Sequence, residues 1–368
     1  MKENLVSALA HFKIDGKLLT VEPYGEGHIN ETYLAVYDAG GSKKRYILQK
    51  INSNLFNPVE KLMENISGVT TFLREKIIAR GGDADRECLT LVPTFDGATF
   101  YKSEANEYFR VYKFIEHTVC LQKIEKPEHF YNSAVAFGEF MNELSEYDAS
   151  KIYEILPNFH NTPKRYNDFL AAVDKDEFNR AKDCEKEIEF FKSHEELYPA
   201  ITNLLNSGKI PLRVTHNDTK LNNVLLDLKS GKPVAVIDLD TIMPGSLLYD
   251  FGDSIRFGCN SALEDEPDLS KVYFREDLYK VYVDGYMSKV GASITETEKE
   301  NLPVGAILMT MECGMRFLAD YLSGDVYFKT HRSGQNLDRA RTQIKLASDM
   351  LKKLDELKKY ALSKEVDK

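Results

Sequence analysis

Residues 214–227 read Val-Thr-His-Asn-Asp-Thr-Lys-Leu-Asn-Asn-Val-Leu-Leu-Asp, and residues 233–240 read Pro-Val-Ala-Val-Ile-Asp-Leu-Asp. Ser230-Gly231 between them is a turn signal. A tight turn there makes an antiparallel hairpin with residue 223 opposite residue 238. Asn223 and Asp238 then meet at its open end, an amide oxygen beside a carboxylate. Too few protein oxygens converge for a calcium cage, but phosphate oxygens and water would complete an octahedron around Mg²⁺. Asp218 lies on the loop entering the hairpin, where a carboxylate would accept a proton from a hydroxyl aimed at a metal-bound phosphate. Lys220 offers positive charge to the transferring group. Phosphoryl transfer needs this division of labour: positioning, charge neutralisation and a base for the hydroxyl.

Upstream, the patterning predicts strands over 20–24, 32–37, 45–51, 90–93 and 108–114. Gly25-Glu26-Gly27-His28-Ile29-Asn30 forms a glycine-bearing turn between the first two, and 39–42 a hairpin turn. Asn57-Pro58-Val59-Glu60 has the pattern of a helix start, with Asn57 as N-cap. Leu62, Ile66, Val69, Leu73 and Ile77 then mark one helix face, ended by Gly81-Gly82. Downstream the chain reads as mainly helical, with apolar stripes over 130–144, 178–191 and 338–362.

Composition narrows the classes. The chain has 368 residues, 48 basic and 58 acidic, for a net charge of −10. Its acidic balance argues against a general nucleic-acid binder. No apolar run approaches the ~20 residues that cross a bilayer, and the first residues show no secretory signal, so no membrane partner is expected. Cys88, Cys120, Cys184, Cys259 and Cys313 are too scattered for a zinc site or a disulfide scaffold. Reduced thiols and a cytoplasmic location are expected.

His216-x-Asp218-x-Lys220-x-x-Asn223 resembles the kinase catalytic loop. With Ile237-Asp238-Leu239-Asp240 it is more similar to the aminoglycoside phosphotransferase and choline kinase superfamily than to the protein kinases. The resemblance implies an α+β, bilobal, protein-kinase-like fold: a small antiparallel-sheet N-lobe over 1–116 and a mainly helical C-lobe over 117–368. It implies ATP and Mg²⁺ as cofactors, Asp218 as catalytic base, and Asn223 and Asp238 as metal ligands. Gly25, Gly27, His28 and Asn30 would cover the phosphates. The third strand should supply a phosphate-binding lysine, and either Gln49 or Lys50 occupies that place, on opposite faces of the strand. Glu60 and Glu64 compete to be its helix-borne partner. Phe114, Ile115 and Glu116 fit the hinge whose backbone would bind adenine. Asp250-Phe251-Gly252 spells the protein-kinase metal motif, but its role by resemblance is a structural aspartate behind the catalytic loop. His216 reads as a loop anchor, and Asp240 is open between second-layer support, metal ligand and turn residue.

Two longer runs narrow the acceptor. The segments 216–225, 236–245 and 250–253, together with 312–327 and 334–339, resemble the N-acetylhexosamine 1-kinase branch over nearly the whole chain. The resemblance implies ATP-dependent phosphorylation of the anomeric hydroxyl of N-acetylglucosamine or N-acetylgalactosamine. Asp218 and Lys220 would then meet the acceptor hydroxyl, and Thr241, Arg316 and Tyr327 would contact the sugar. Choline, an aminoglycoside or another sugar is the alternative acceptor. A non-catalytic nucleotide- or sugar-binding protein is the alternative class. The expected partners are small molecules, with the chain a monomer or a weak homo-oligomer.

Overall fold

The computed structural model describes residues 2–25 and 29–365. By contacts the chain divides into two compact units. The first comprises Met1–Val119, Glu146–Leu156 and Leu225–Met243, and the second comprises Cys120–Ser145, Pro157–Val224 and Pro244–Lys368.

The first unit is built on five antiparallel strands: β1 (Lys17–Pro23), β2 (Glu31–Ala39), β3 (Ser42–Ile51), β4 (Tyr101–Lys102) and β5 (Tyr108–Lys113). Their spatial order is β1-β2-β3-β5-β4. Strand alternation sorts their side chains. Tyr33, Ala35 and Tyr37 of β2, Tyr46 and Leu48 of β3, and Phe109 and Val111 of β5 form one apolar face. The helix Lys2–Leu9 covers that face with Leu5, Ala8 and Leu9. The opposite face carries a polar row, because Thr32 pairs with Gln49 and Gln49 with Arg110 across three strands. The β2–β3 turn closes at Ala39 opposite Ser42, with Gly40 and Gly41 at φ 70° and 86°. Both central residues of such a turn need positive φ, which only glycine adopts without strain.

Three local expectations are corrected. The stretch 90–93 is no strand: Leu91 makes a single bridge to Tyr112, and Val92 N–H donates to Val111. Pro93 has no N–H with which to extend a ladder, and β4 pairs with β5 instead. The helix Val59–Ala79 has Pro58 at its N-cap, with no side-chain cap bond, so Asn57 is not the cap. Its buried Leu62, Ile66, Val69, Leu73 and Ile77 are the predicted stripe. In the hairpin of Val224–Asp227 and Pro233–Val236, Asp227 N–H donates to the Lys232 carbonyl (2.9 Å) and Gly231 N–H to the Asp227 carbonyl (2.9 Å). The Asp227 carboxylate accepts the N–H groups of Lys229 and Ser230, which widens the turn. Residue 227 therefore faces 232, two positions off the tight-turn register, and strand pairing does not set 223 opposite 238.

The second unit is helical. Its principal helices are Pro127–Glu143, Thr162–Lys175, Leu247–Gly258, Glu276–Val290, Glu296–Leu322 and Gln335–Lys352. The predicted 178–191 helix is confined to Glu185–Lys192, and the 338–362 stripe breaks at Lys353, whose φ of −110° leaves the helical region. Glu296–Leu322 is long and apolar enough to cross a membrane by length and composition, and 78% of its most apolar window is buried within the protein. It crosses Leu247–Gly258 at two glycines. A Cβ on Gly252 would lie 2.4 Å from the Gly305 carbonyl oxygen, and one on Gly305 would lie 2.4 Å from that of Leu248. The helix that carries Asp250 can seat at this depth only with glycine at both positions.

The start of the long helix is held by one fully buried acid. Glu298 completes a capping box with Thr295 and makes a two-point ion pair with Arg213, with both distances 2.7 Å. Arg213 is itself buried and also donates to the Ser293 carbonyl. Glu298→Ala removes the cap and leaves a buried guanidinium uncompensated. We expect a loss of about 3–5 kcal/mol in denaturant unfolding. A change within ~0.5 kcal/mol, the size of an ordinary surface substitution, would show that the pair does not hold the helix start.

Candidate active site

The catalytic-loop residues gather in the second unit around a buried acid. Asp250 accepts the backbone N–H of His216 on one carboxylate oxygen (2.8 Å) and that of Asn217 on the other (2.7 Å). Asn217 has φ 63°, the left-handed turn that lets two consecutive N–H groups point at one carboxylate. Thr219 Oγ1 donates to the Asp250 carbonyl (2.6 Å), and Ser254 Oγ returns a bond to the Thr219 carbonyl (3.0 Å). Burial raises the Asp250 carboxyl above its ordinary value, against the pull of His216 and the two N–H donors. Asp250 is thus a structural acid. His216 is fully buried, with its ring edge-on to Phe137 and Phe140 and its Nδ1 accepting the Asp218 N–H (3.3 Å). It anchors the loop.

Asp218, Lys220 and Asn223 are brought together. Asn223 Nδ2 donates to the Asp218 carbonyl (2.8 Å) and carboxylate (3.1 Å), and Lys220 Nζ lies 2.9 Å from the other carboxylate oxygen. Burial works against the Lys220 charge, but Asp218 and then Asp253 outweigh it and raise the ammonium above its ordinary value. Asp253 is held in turn by Arg256 Nε (2.9 Å).

The first unit holds a second cluster, on the polar row of the sheet. Gln49 faces this row, accepts from Arg110 Nε (2.9 Å) and donates to Thr32 Oγ1 (3.1 Å). Lys50 points to the other face and pairs with Glu107 (2.7 Å) and Glu31 (3.3 Å). Arg110, 1% exposed, pairs with Asp240, 2% exposed, at 2.5 Å. Asn30 Nδ2 donates to the second Asp240 oxygen (2.5 Å), while Asn30 Oδ1 accepts the Asn52 N–H (2.9 Å). Burial opposes the Arg110 charge, yet Asp240 foremost, and Asp238 with it, hold the guanidinium above its ordinary value. Asp240 is therefore a supporting carboxylate held by two side chains. Asp238 sits two residues earlier in the left-handed region (φ 61°, ψ 60°) and is exposed. Glu60 and Glu64 are both exposed, Glu64 on Lys61, and it is Met63 of that helix that meets Arg110. Sequence reasoning missed Arg110. Its signal was a lone arginine inside the apolar run Tyr108-Phe-Arg-Val-Tyr112.

The other expected residues fall as follows. Gly25 has φ 79°, while Gly27 and His28 lie outside the described residues. Arg45 stacks on the Phe114 ring (4.0 Å) and pairs with the Glu116 carboxylate. The Glu116 carbonyl accepts from Arg86 (2.6 Å) and the Ile115 carbonyl from Thr118 (2.8 Å), so two hinge carbonyls have partners within the protein. Thr241 ends a short 3₁₀ turn in the first unit. In the second unit Arg316 meets the Tyr327 hydroxyl (3.4 Å) and lies over the rings of Phe159, Tyr327 and Phe328 at 5.4–5.7 Å. Asp320, one helical turn on from Arg316, is occupied by the N–H groups of Val326, Tyr327 and Phe328 and by Asn336. Beside Arg316, Glu312 holds His160 and Thr162 at 2.8 Å each. Burial, and then the like charge of Arg316, lower Arg165 below its ordinary value.

Each unit offers an oxygen donor of the kind magnesium takes. With Nδ2 engaged on Asp218, Asn223 keeps its amide oxygen as a ligand atom. Asp238 adds an exposed carboxylate. No cluster of three or more His, Cys, Asp or Glu suited to a metal occurs among the described residues. Mg²⁺ takes few protein oxygens and draws the rest of its coordination from water and phosphates.

Residues 20–278 match the family described as "Phosphotransferase enzyme family". Among solved structures, the chain is similar to a microcompartment-associated aminopropanol kinase, with TM-score 0.63, 16% identity, and 97% of this chain and 98% of that one covered. It is similar to the spectinomycin phosphotransferase APH(9)-Ia in complex with ADP and spectinomycin (TM-score 0.58, 13% identity, 95% and 98% covered). It is also similar to a choline kinase from Cryptosporidium parvum Iowa II (TM-score 0.55, 13% identity, 99% and 98% covered). At these identities the likeness is one of fold, a mixed α+β chain with an antiparallel N-terminal sheet and a helical C-terminal region. The family match spans well over half of the residues and includes both the loop at 216–223 and the acid at 238: the chain belongs to the phosphotransferase enzyme family.

Proposed function

We propose that this phosphotransferase uses ATP and Mg²⁺ to phosphorylate the anomeric hydroxyl of an N-acetylhexosamine. The observation that carries the reading is the Asp218 carboxylate, half-buried and held by Asn223 on one oxygen and Lys220 on the other. The acceptor hydroxyl gives its proton to Asp218 as its oxygen forms a bond to the γ-phosphorus. The bond from that phosphorus to the bridging oxygen breaks, and ADP leaves with the electron pair. Lys220 offsets charge on the transferring group. Asn223 and Asp238 would be oxygen donors for Mg²⁺, which would neutralise phosphate charge when bound. The turn at 25–30 covers the phosphates, and the 114–116 segment receives adenine.

The acceptor reading is supported by Arg316 with its aromatic neighbours and by the second arginine, Arg165, whose charge interacts with it. Two arginines repel a quaternary ammonium or a polycationic aminoglycoside, whereas a neutral sugar takes hydrogen bonds from a guanidinium and stacks on Tyr327. Thr241 completes the proposed sugar contacts. The position of Lys50, turned away from the Gln49 row, is the observation that favours a non-catalytic ligand binder. Arg110 beside Gln49 weakens that alternative, since a buried cation does stand on the same face. A cytoplasmic monomer or weak homo-oligomer acting on small molecules completes the proposal.

Two measurements test it. An ADP-release screen over N-acetylhexosamines, free hexoses, choline and aminoglycosides is expected to respond to N-acetylhexosamines, with NMR locating the new phosphate on C1. Release with choline or an aminoglycoside alone would overturn the acceptor, and no release with any compound would favour the binder. Asp218→Asn is expected to lower kcat by ~10²–10⁴-fold and leave Mg²⁺-ADP affinity unchanged, because the base acts on the acceptor. Near-normal turnover in that variant would remove Asp218 from the mechanism.

A further inference from the structure

The site has a vacant role and an unassigned residue. A kinase-type strand should place a cation on the nucleotide side of β3, yet that face carries the neutral Gln49, and Lys50 is bound to Glu107 and Glu31 on the other. The register pairs Gln49 with Arg110 on the adjacent β5, so the guanidinium stands beside the Gln49 side chain on the same face. Arg110 is 1% exposed, with its Nε on Gln49 and its Nη1 on Asp240. Asp240 in turn takes Asn30, the last residue of the glycine turn. One chain of contacts thus runs Gln49–Arg110–Asp240–Asn30, wholly within the first unit. It joins the central strands, the segment bearing Asp238 and Asn30 just before β2.

We propose that Arg110 takes over the organising task of the missing strand lysine, as a positioning residue: it holds Asp240, and through Asp240 fixes the left-handed backbone that presents Asp238. A fork-shaped guanidinium can serve Gln49 and Asp240 together, which a point-charge ammonium could not do with the same geometry. Burying a carboxylate is costly unless a partner is fixed beside it, and Arg110 is that partner for Asp240. The 237–241 segment is therefore shaped by Arg110 before any metal arrives. The inference rests on the ATP and Mg²⁺ reading above.

The test is nucleotide binding by the full chain, measured by calorimetry with ADP in EDTA and ADP in Mg²⁺. Wild type is expected to bind ADP more tightly with Mg²⁺. Arg110→Gln is expected to lose ~10–100-fold of the Mg²⁺-dependent affinity, the usual size for a residue that orients a metal ligand, while affinity in EDTA stays as in wild type. The double substitution Gln49→Lys with Arg110→Gln moves the charge one strand over and is expected to recover part of that loss. Retention of the full Mg²⁺ gain by Arg110→Gln would overturn the inference. If Arg110→Gln does not fold, the double variant decides: a folded double variant with a Mg²⁺ gain supports it, and one that folds without a gain overturns it. Wild type that binds no ADP in either buffer would instead overturn the ATP reading itself, a separate outcome.

Discussion

The Asp250 carboxylate accepts two consecutive backbone N–H groups from a position that is 3% exposed. Those groups belong to His216 and Asn217, so the path of the chain into Asp218 is set by one side chain on another element. Two backbone donors buried without an acceptor would each cost about 1–3 kcal/mol, and a buried carboxylate without donors would cost more. Each side of the contact removes the other's penalty. The contact depends on how deeply the helix Leu247–Gly258 seats, and hence on the glycine crossing at Gly252 and Gly305. The distant pair Arg213–Glu298 at the start of the long helix belongs to the same chain of dependence.

Burial divides four acids, two in each unit. Asp240 and Asp250 are almost fully buried, and each has both oxygens engaged inside the protein. Asp218 is half-buried and Asp238 exposed, which leaves them accessible to water, a cation or a reacting hydroxyl. In the first unit the buried member is matched by Arg110, in the second by backbone N–H groups. In each unit one acid is fixed in the interior while the other stays within reach of solvent. Local composition does not distinguish the two kinds, because all four are Asp in runs of similar character.

Much of the fold was legible. The 3.6-residue stripe of Leu62 to Ile77, the glycine pair at 40–41 and the alternation in β2 and β3 are local consequences of burying one face, and all three appear as read. The failures were equally local. Pro93 ended a ladder that the β-branched residues before it suggested. The Asp227 side chain caught Lys229 and Ser230 and widened the hairpin turn, which moved the register by two. The choice between Gln49 and Lys50 could not be made from alternation alone, since a strand states that neighbours face opposite ways and not which face meets the site.

The amino-acid sequence by itself determined the family and the periodic elements, and it singled out Asp218 and Asn223 as candidates, because these are set by residue type and spacing. The tertiary structure decided which carboxylates are buried, which strand supplies the cation and where the hairpin register falls. Those outcomes depend on pairings such as Gln49 with Arg110, Asp240 with Asn30 and Asp250 with His216. The partners lie 61, 210 and 34 residues apart, and no local preference can register a desolvation energy that exists only once distant side chains have met.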